Sequence, residues 1–138
     1  RIYLAGPLFS EAERAYNLIL RDLLTRHLFD VYLPQEAGDT NPARCREEHR
    51  AIFAQNLWAL RDADIVVAVI DGADADSGTS WEMGYAYALG KRIVALRTDF
   101  RVAGHHEQVN LMLEESAAVV TRKEDLPRAI GSLLPASE

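Results

Sequence analysis

The sequence is poor in cysteine and in basic residues, and it has no long apolar run. A single cysteine, Cys45, cannot form an internal disulfide and points to a reducing compartment. The 15 Lys and Arg residues are outnumbered by 21 Asp and Glu residues, and the net charge of -6 argues against binding to nucleic acid polymers or acidic membranes. No apolar run approaches the ~20 residues of a membrane span. These absences predict a cytoplasmic protein without a membrane partner.

The sequence does contain a regular alternation of short apolar runs and longer stretches of helical period. With 138 residues, 49% of them hydrophobic, it fits one compact domain over residues 1–138. The predicted strands are residues 2–5, 31–33, 65–70, 92–96 and 117–121, and the predicted helices are residues 10–27, 43–61, 79–89, 108–116 and 124–134. This alternation predicts an α/β fold, a flavodoxin-like doubly wound sheet of five parallel strands with helices on both faces.

Ligands of such folds bind outside the carboxyl ends of the strands, where the strand order reverses. Three predicted loops should meet there, namely residues 6–9, 71–78 and 98–106. The site is therefore expected among these loops and the helices that follow them.

The segment 71–82 is the most acidic part of this region, with four carboxylates in twelve residues. It is compatible with a solvated loop leading into a helix whose first turn favours Glu82. A Mg²⁺ or Ca²⁺ site is a second interpretation, although the spacing matches no calcium loop. The third is a catalytic pair, Glu82 and Asp76, because glycosyl transfer through a covalent intermediate needs a nucleophilic carboxylate and a second group beside it.

Four segments of the sequence belong together: IYLAGPLFS at residues 2–10, RDADIVVA at 61–68, DSGTSWEMGYA at 76–86 and VNLM at 109–112. In this order and spacing they resemble the nucleoside 2-deoxyribosyltransferase family. The resemblance favours the catalytic interpretation. It implies an enzyme of nucleotide salvage that cuts the N-glycosidic bond of a 2'-deoxynucleoside and transfers the deoxyribose to a free nucleobase. A covalent glycosyl-enzyme forms on the way, and no cofactor or metal takes part.

The resemblance also implies roles for the residues around the sugar. Glu82 attacks the anomeric carbon, Tyr3 positions Glu82 through a hydrogen bond, and Asp76 accepts hydrogen bonds from the sugar hydroxyls. Gly78 is expected to let the backbone approach the sugar, and Gly84 to let its helix approach the sheet.

The residues expected to contact the nucleobase match the family less uniformly. Gln35 and Glu36 lie where the family has side chains that contact the base, although ordinary loop residues are the alternative. Phe9 and Trp81 are candidates for stacking on the base, while core packing is the more usual fate of a Trp on such a helix.

Asn56 departs from the family pattern. It stands where the family usually has an Asp that serves the leaving base as proton donor or hydrogen-bond partner. An amide donates hydrogen bonds but cannot protonate a base, so the proton has to come from Asp76, Glu36, water or a tautomeric shift. Slow turnover or altered base preference is expected.

Asn110 matches a family Asn that reaches the neighbouring subunit's site and binds the sugar 5'-hydroxyl, with Met112 close by. The resemblance thus implies a homo-oligomer. An Asn that only caps a short helix is the alternative.

Two further functions stay open. Relatives that hydrolyse deoxynucleoside 5'-monophosphates need a phosphate pocket after the first strand, and a sensing module on this fold needs only binding. Gly6 and Phe9, candidate substrate contacts, belong to a bulky apolar turn that favours an uncharged 5' end. Ser77, Ser80 and Arg101 keep the monophosphate alternative open.

Overall fold

The computed structural model describes residues 1–37 and 45–135 and confirms the predicted α/β fold. The strands are β1 (Ile2–Ala5), β2 (Val31–Tyr32), β3 (Ile65–Val69), β4 (Arg92–Leu96) and β5 (Ala118–Val120). The α-helices of the described part are α1 (Glu11–Arg26), α2 (Pro34–Ala37), α3 (Arg46–Asp62), α4 (Ser77–Ala88), α5 (Leu111–Ser116) and α6 (Leu126–Leu133).

The five strands form one parallel sheet in the order β2-β1-β3-β4-β5. The chain moves outward from β1 to β2 and then returns to place β3 on the other side of β1. The strand order therefore reverses between β1 and β3, which is where ligands of such sheets bind. All five residues of β3 are buried, as its uninterrupted apolar run predicts for a strand covered on both faces.

The sheet separates two hydrophobic cores, and the alternation of strand side chains decides what faces each core. Ile2 and Leu4 of β1 pack with α1 and α6, whereas Tyr3 and Ala5 pack with α3 and α4. This alternation turns the Tyr3 side chain toward α4, the helix that carries Glu82.

Helix α1 begins as predicted but buries a different face. Ser10 and Glu13 form a reciprocal capping box at its start. Ala15, Leu18, Ile19 and Leu23 recur at helical spacing and so predict one apolar face. The buried apolar residues are instead Leu20, Leu23 and Leu24, and Ala15, Leu18 and Ile19 are exposed. Because residues 18–20 are all apolar, more than one face of the helix has apolar residues at helical spacing. Which face is buried is therefore decided by packing against the sheet.

Other boundaries differ by a few residues. Pro34, expected to end β2, begins α2, because proline suits the first position of a helix. Asp76 accepts a hydrogen bond from the Thr79 backbone N–H at 2.9 Å, so α4 begins at Ser77 rather than at 79. Helix α5 begins at Leu111 rather than at 108.

A short 3-10 turn, Lys123–Asp125, precedes α6. The predicted start of the second helix, at residue 43, lies outside the described residues. Within residues 1–37 and 45–135, no helix has the length and apolar character needed to cross a membrane.

Candidate active site

Glu82 lies on α4, where it faces β1. The Tyr3 hydroxyl donates a short hydrogen bond to Glu82 Oε2. The predicted pairing of these two residues is thus present, but the predicted place of Glu82 in the first turn is wrong, because Asp76 itself caps the helix and moves its start forward. Glu82 lies in the second turn, so its properties come from its neighbours rather than from the end of the helix.

The electrostatics of this pair follow from its burial. Burial raises the pKa of Glu82 to about 7; the hydrogen bond from Tyr3 lowers it, and the charge of Asp76 adds to the rise. Burial and the charge of Glu82 raise the pKa of Tyr3 far above its ordinary value. Tyr3 therefore keeps its proton at neutral pH and remains a donor, while Glu82 changes charge near neutral pH.

Asp76 is the N-cap of α4 and is held through one oxygen. Its Oδ2 accepts hydrogen bonds from the Thr79 backbone N–H at 2.9 Å and the Thr79 hydroxyl at 3.0 Å. In the part of the chain that the structure describes, Oδ1 has no hydrogen-bond partner. Asp76 is thus fixed through Oδ2 alone.

Gly78 and Gly84 were predicted to act through shape, and Gly6 to contact the substrate. A Cβ on Gly78 would lie 3.3 Å from Asp76 Oδ2, so the absence of a side chain leaves room beside that carboxylate. A Cβ on Gly6 would lie 3.3 Å from the Cβ of Val69, so β1 and β3 leave little space there. For Gly84 the expectation of close helix–sheet approach is wrong, because a Cβ there would meet nothing within 4 Å.

A cavity of about 540 Å³ opens beside Glu82, between α3 and α4. Its lining residues are Phe53, Asn56, Leu57, Leu60, Ser77, Gly78, Trp81 and Glu82. Mostly apolar walls with a few polar groups are typical of sites for small organic ligands, which range over ~300–1,000 Å³.

Asn56 faces this cavity and is connected to Glu82 through two tyrosines. The Tyr32 hydroxyl donates to Asn56 Oδ1 at 3.1 Å. The Tyr32 ring stacks on Tyr3, with 5.4 Å between centroids and 21° between planes. With its oxygen engaged by Tyr32, the amide of Asn56 offers N–H donors to a ligand.

Trp81 was expected in the core but is 50% exposed and lines the cavity. The buried residues of α4 are Thr79, Met83 and Ala86, and position 81 falls outside that stripe. Because α4 is built largely from small and apolar residues, its sequence pattern does not reveal which face is buried.

Three other base-side candidates do not line the cavity. The Gln35 amide accepts from the buried Asn17 at 3.0 Å and donates to the Arg14 carbonyl at 3.1 Å. Glu36 forms an ion pair with Arg21. Phe9 is 72% exposed in the turn after β1. These contacts assign Gln35 to holding α1 and α2 together.

Asn110 and Met112 lie in a second cavity of about 830 Å³ between α4 and α5. Asn110 caps α5, accepting from the Met112 backbone N–H at 2.9 Å. Ser77 borders both cavities. The two predicted interface residues are thus separated from Glu82 by α4 within one chain.

The loops after β3 and β4 meet, as predicted. Asp71 accepts from the backbone N–H groups of Thr98 at 2.6 Å and Asp99 at 2.9 Å. Arg101, a candidate phosphate ligand, is paired with Asp99 at 2.5 Å. Its charge is therefore engaged within its own loop.

Sequence reasoning missed Tyr32, Phe53 and Asn17 as parts of this region. Phe53 carried a signal, since it lies one helical turn before Asn56. Asn17 and Tyr32 carried none beyond their types, because their partners come from distant parts of the chain. No group of three or more His, Cys, Asp or Glu side chains is placed to hold a metal within residues 1–37 and 45–135.

Fold and site together define a class: a doubly wound α/β domain that presents a half-buried carboxylate, paired with a tyrosine, at the point where its strand order reverses. The family model for nucleoside 2-deoxyribosyltransferase matches residues 2–119. The chain belongs to the nucleoside 2-deoxyribosyltransferase family, a family of enzymes, and the resemblance seen in the sequence is confirmed.

Individual proteins and solved structures are similar to this chain over most of its length. An uncharacterised protein of Ureaplasma parvum serovar 3 is 34% identical over 123 residues, which cover 79% of this chain and 77% of that protein. The structure of the 2-deoxyribosyltransferase of Bacillus psychrosaccharolyticus matches at a TM-score of 0.79 and 27% identity, covering 91% of this chain and 89% of that one. The 2-deoxyribosyltransferase of Leishmania mexicana matches at a TM-score of 0.73 and 26% identity, covering 95% and 94%.

Proposed function

We propose that this protein transfers 2-deoxyribose between nucleobases, with Glu82 as the nucleophile. The observation that carries the proposal is the half-buried Glu82, which accepts a hydrogen bond from Tyr3 and borders a cavity of nucleoside size. The match to the family and the solved 2-deoxyribosyltransferases support the same reaction.

In the first half-reaction a Glu82 carboxylate oxygen attacks C1' of the deoxynucleoside. The new C1'–O ester bond forms as the C1'–N bond breaks, and its electron pair leaves with the base nitrogen. Tyr3 holds Glu82 Oε2 through its hydrogen bond, which leaves Oε1 for the attack. Asp76 Oδ1 accepts a hydrogen bond from a sugar hydroxyl.

In the second half-reaction the nitrogen of an acceptor base attacks C1' from the side that the first base left. The ester C1'–O bond breaks, Glu82 is restored as a carboxylate, and the acceptor nitrogen loses its proton to solvent. Two inversions give net retention at C1', and the scheme needs no cofactor.

Departure of the base depends on Asn56, which donates a hydrogen bond but no proton. Its amide stabilises negative charge on the leaving base, and the proton comes from water. Glu36, one of the candidate acids, is engaged by Arg21, which makes a role at the base less favourable.

The active site is completed by a second copy of the chain, whose Asn110 binds the 5'-hydroxyl of the sugar. Mixing Glu82→Gln protein with Asn110→Ala protein tests this arrangement. Each variant alone should be inactive or weak, and hetero-oligomers should regain activity at sites that combine an intact Glu82 with an intact Asn110. If mixing restores nothing, Asn110 serves only its own chain.

Product analysis tests the reaction. Each 2'-deoxynucleoside and each 2'-deoxynucleoside 5'-monophosphate is incubated with the protein, with and without adenine, and followed by chromatography. New deoxynucleosides are expected only with an acceptor, and a mass increase of one deoxyribosyl group is expected on the peptide that contains Glu82. Free base released only from monophosphates would replace transfer by hydrolysis. Binding without turnover, unchanged in Glu82→Ala, would leave a sensing module.

A further inference from the structure

Three aromatic side chains from α3 and α4 form a continuous row, here called the aromatic row: Phe53, Trp81 and Tyr85. The first two line the cavity. Trp81 and Tyr85 stack with 5.3 Å between centroids and 6° between planes. Phe53 meets Trp81 at 5.8 Å and 64°, an edge-to-face arrangement. Both spacings lie within the ~4.5–7 Å of favourable aromatic pairs, so the row is an ordered surface.

The row is held in place from one end. Arg61 Nε donates to the Tyr85 hydroxyl at 2.7 Å, and the guanidinium lies 5.8 Å from the centroid of the Tyr85 ring. Tyr85 in turn covers Trp81. A support of this kind reduces the conformational freedom that Trp81 would lose on binding a ligand.

The other end of the row is open. Phe53 is 54% and Trp81 50% exposed, and both line the 540 Å³ cavity, which Tyr85 does not line. Phe53 and Trp81 touch one another, so they form a contiguous exposed apolar patch beside a cavity, and such patches are typical of ligand-binding grooves. Their exposure is accounted for if a flat apolar surface covers them.

The polar groups of the cavity indicate which atoms a flat ligand would carry on the edge of its ring. Asn56 presents amide donors there, one helical turn from Phe53, and Glu82 lies one residue from Trp81. A ligand that satisfies both needs a flat ring with acceptor atoms on its edge and an attached carbon for Glu82. A nucleobase joined to a sugar has these features.

We infer that Trp81 and Phe53 are the residues on which the nucleobase stacks, with Tyr85 and Arg61 as positioning residues behind them. The inference rests on the proposed function for the sugar, but base binding itself needs no chemistry. Base stacking on an aromatic side chain is sequence-tolerant, since every base has a flat face, so the row contributes affinity while Asn56 contributes selectivity.

Fluorescence tests the inference directly, because the chain has only two tryptophans. Trp58 lies on α3 with the Arg1 guanidinium 5.9 Å from its ring centroid, and it does not line the cavity. Trp58→Phe therefore leaves Trp81 as the sole reporter. Titration with adenine, hypoxanthine, cytosine or thymine should quench it saturably.

Paired substitutions separate stacking from mere bulk. Trp81→Phe keeps a flat ring, and Trp81→Leu replaces it with a similar apolar surface that cannot stack. By calorimetry the Kd for free base should rise about 5- to 100-fold in Trp81→Leu and much less in Trp81→Phe. Equal affinities in the two variants, or no quenching in Trp58→Phe, would overturn the inference.

Two outcomes keep this test independent of the proposed reaction. If the unsubstituted protein binds free base but forms no transfer product, the proposed function alone is refuted. Normal transfer with unchanged Kd in Trp81→Leu would refute the stacking role alone. Light scattering of Trp81→Leu and Phe53→Leu gives the third outcome: a changed oligomeric state with unchanged base affinity would make the row a subunit interface instead.

Discussion

The two sides of the cavity are built in opposite ways. On the sugar side, Tyr3 is fully buried in a core, and Glu82 and Asp76 are each held by a hydrogen bond. On the base side, Phe53 and Trp81 are half exposed. The proposed nucleophile is therefore fixed by the same packing that stabilises the fold, whereas the proposed base-stacking side chains can change at little cost to stability.

The largest expected effect comes from a substitution on the sugar side. Glu82→Gln keeps the shape of the side chain but removes the nucleophile, so transfer should fall by at least about 10³-fold. Steady-state rates with a deoxynucleoside and adenine measure this. Glu47→Gln, an exposed change on α3, is the matched control and should keep full activity. Transfer by Glu82→Gln within tenfold of the original rate would contradict the assignment.

The second largest effect is expected from a substitution on the base side. Asn56→Asp restores the group that the family usually has, and general acid catalysis is often worth ~10²–10⁴-fold. We expect kcat to rise by up to about 100-fold, with a change in base preference across a panel of deoxynucleosides. Gln55→Glu, a neighbouring amide-to-acid change outside the cavity lining, controls for added charge. If both rate and preference stay the same in Asn56→Asp, the leaving-group hypothesis is wrong.

The third effect concerns the connection between Tyr3 and Glu82. Because burial raises the pKa of Glu82 to about 7 and only its carboxylate attacks, kcat/KM should rise with pH up to about 7 and then level off. Tyr3→Phe removes a hydrogen bond that lowers this pKa, so the rise should move to higher pH.

The plateau rate of Tyr3→Phe should also fall, by roughly tenfold, because the carboxylate is less well positioned. Tyr16→Phe, on the other face of the sheet, is the matched control and should leave the profile unchanged. A pH profile of Tyr3→Phe that superimposes on the original would show that Tyr3 does not tune Glu82.

The smallest effect concerns Tyr32, which connects Tyr3 on the sugar side with Asn56 on the base side. Tyr32→Phe keeps the stack on Tyr3 but loses the hydrogen bond to Asn56, and a net hydrogen bond is worth ~0.5–1.5 kcal/mol. KM should rise about 2- to 10-fold with kcat nearly unchanged. The same substitution in an Asn56→Ala background should have no further effect on KM. An equal rise in both backgrounds would mean that Tyr32 acts without Asn56.

Sequence periodicity predicted the five strands, their parallel arrangement and the approximate helices, because burial on both faces of a sheet leaves a clear apolar run. It misjudged the buried face of α1 and the fate of Trp81, where several faces are equally apolar. It placed Glu82 one turn too early, because an Asp can be an ordinary loop residue or the N-cap that begins the helix.

For the candidate site, too, some predicted residues make the expected contacts and others do not. The family motif indicated Glu82, Tyr3 and Asp76 before any coordinates, and Tyr3 and Glu82 are in contact. Gln35 and Glu36 followed the motif equally well, yet their side chains are engaged by Asn17 and Arg21. Those partners are distant in the sequence, so no local pattern reveals them.

The sequence by itself determined the fold class and the family, and it predicted a nucleophile, a tyrosine beside it and an amide at the base. These follow from apolar periodicity and from local motifs, both of which are written along the chain. Only the tertiary structure decided that Tyr32 joins Asn56 to Tyr3, and that Phe53 and Trp81 line one wall. Such contacts depend on how α3 and α4 pack against β1, and packing is a property of residues brought together by the fold.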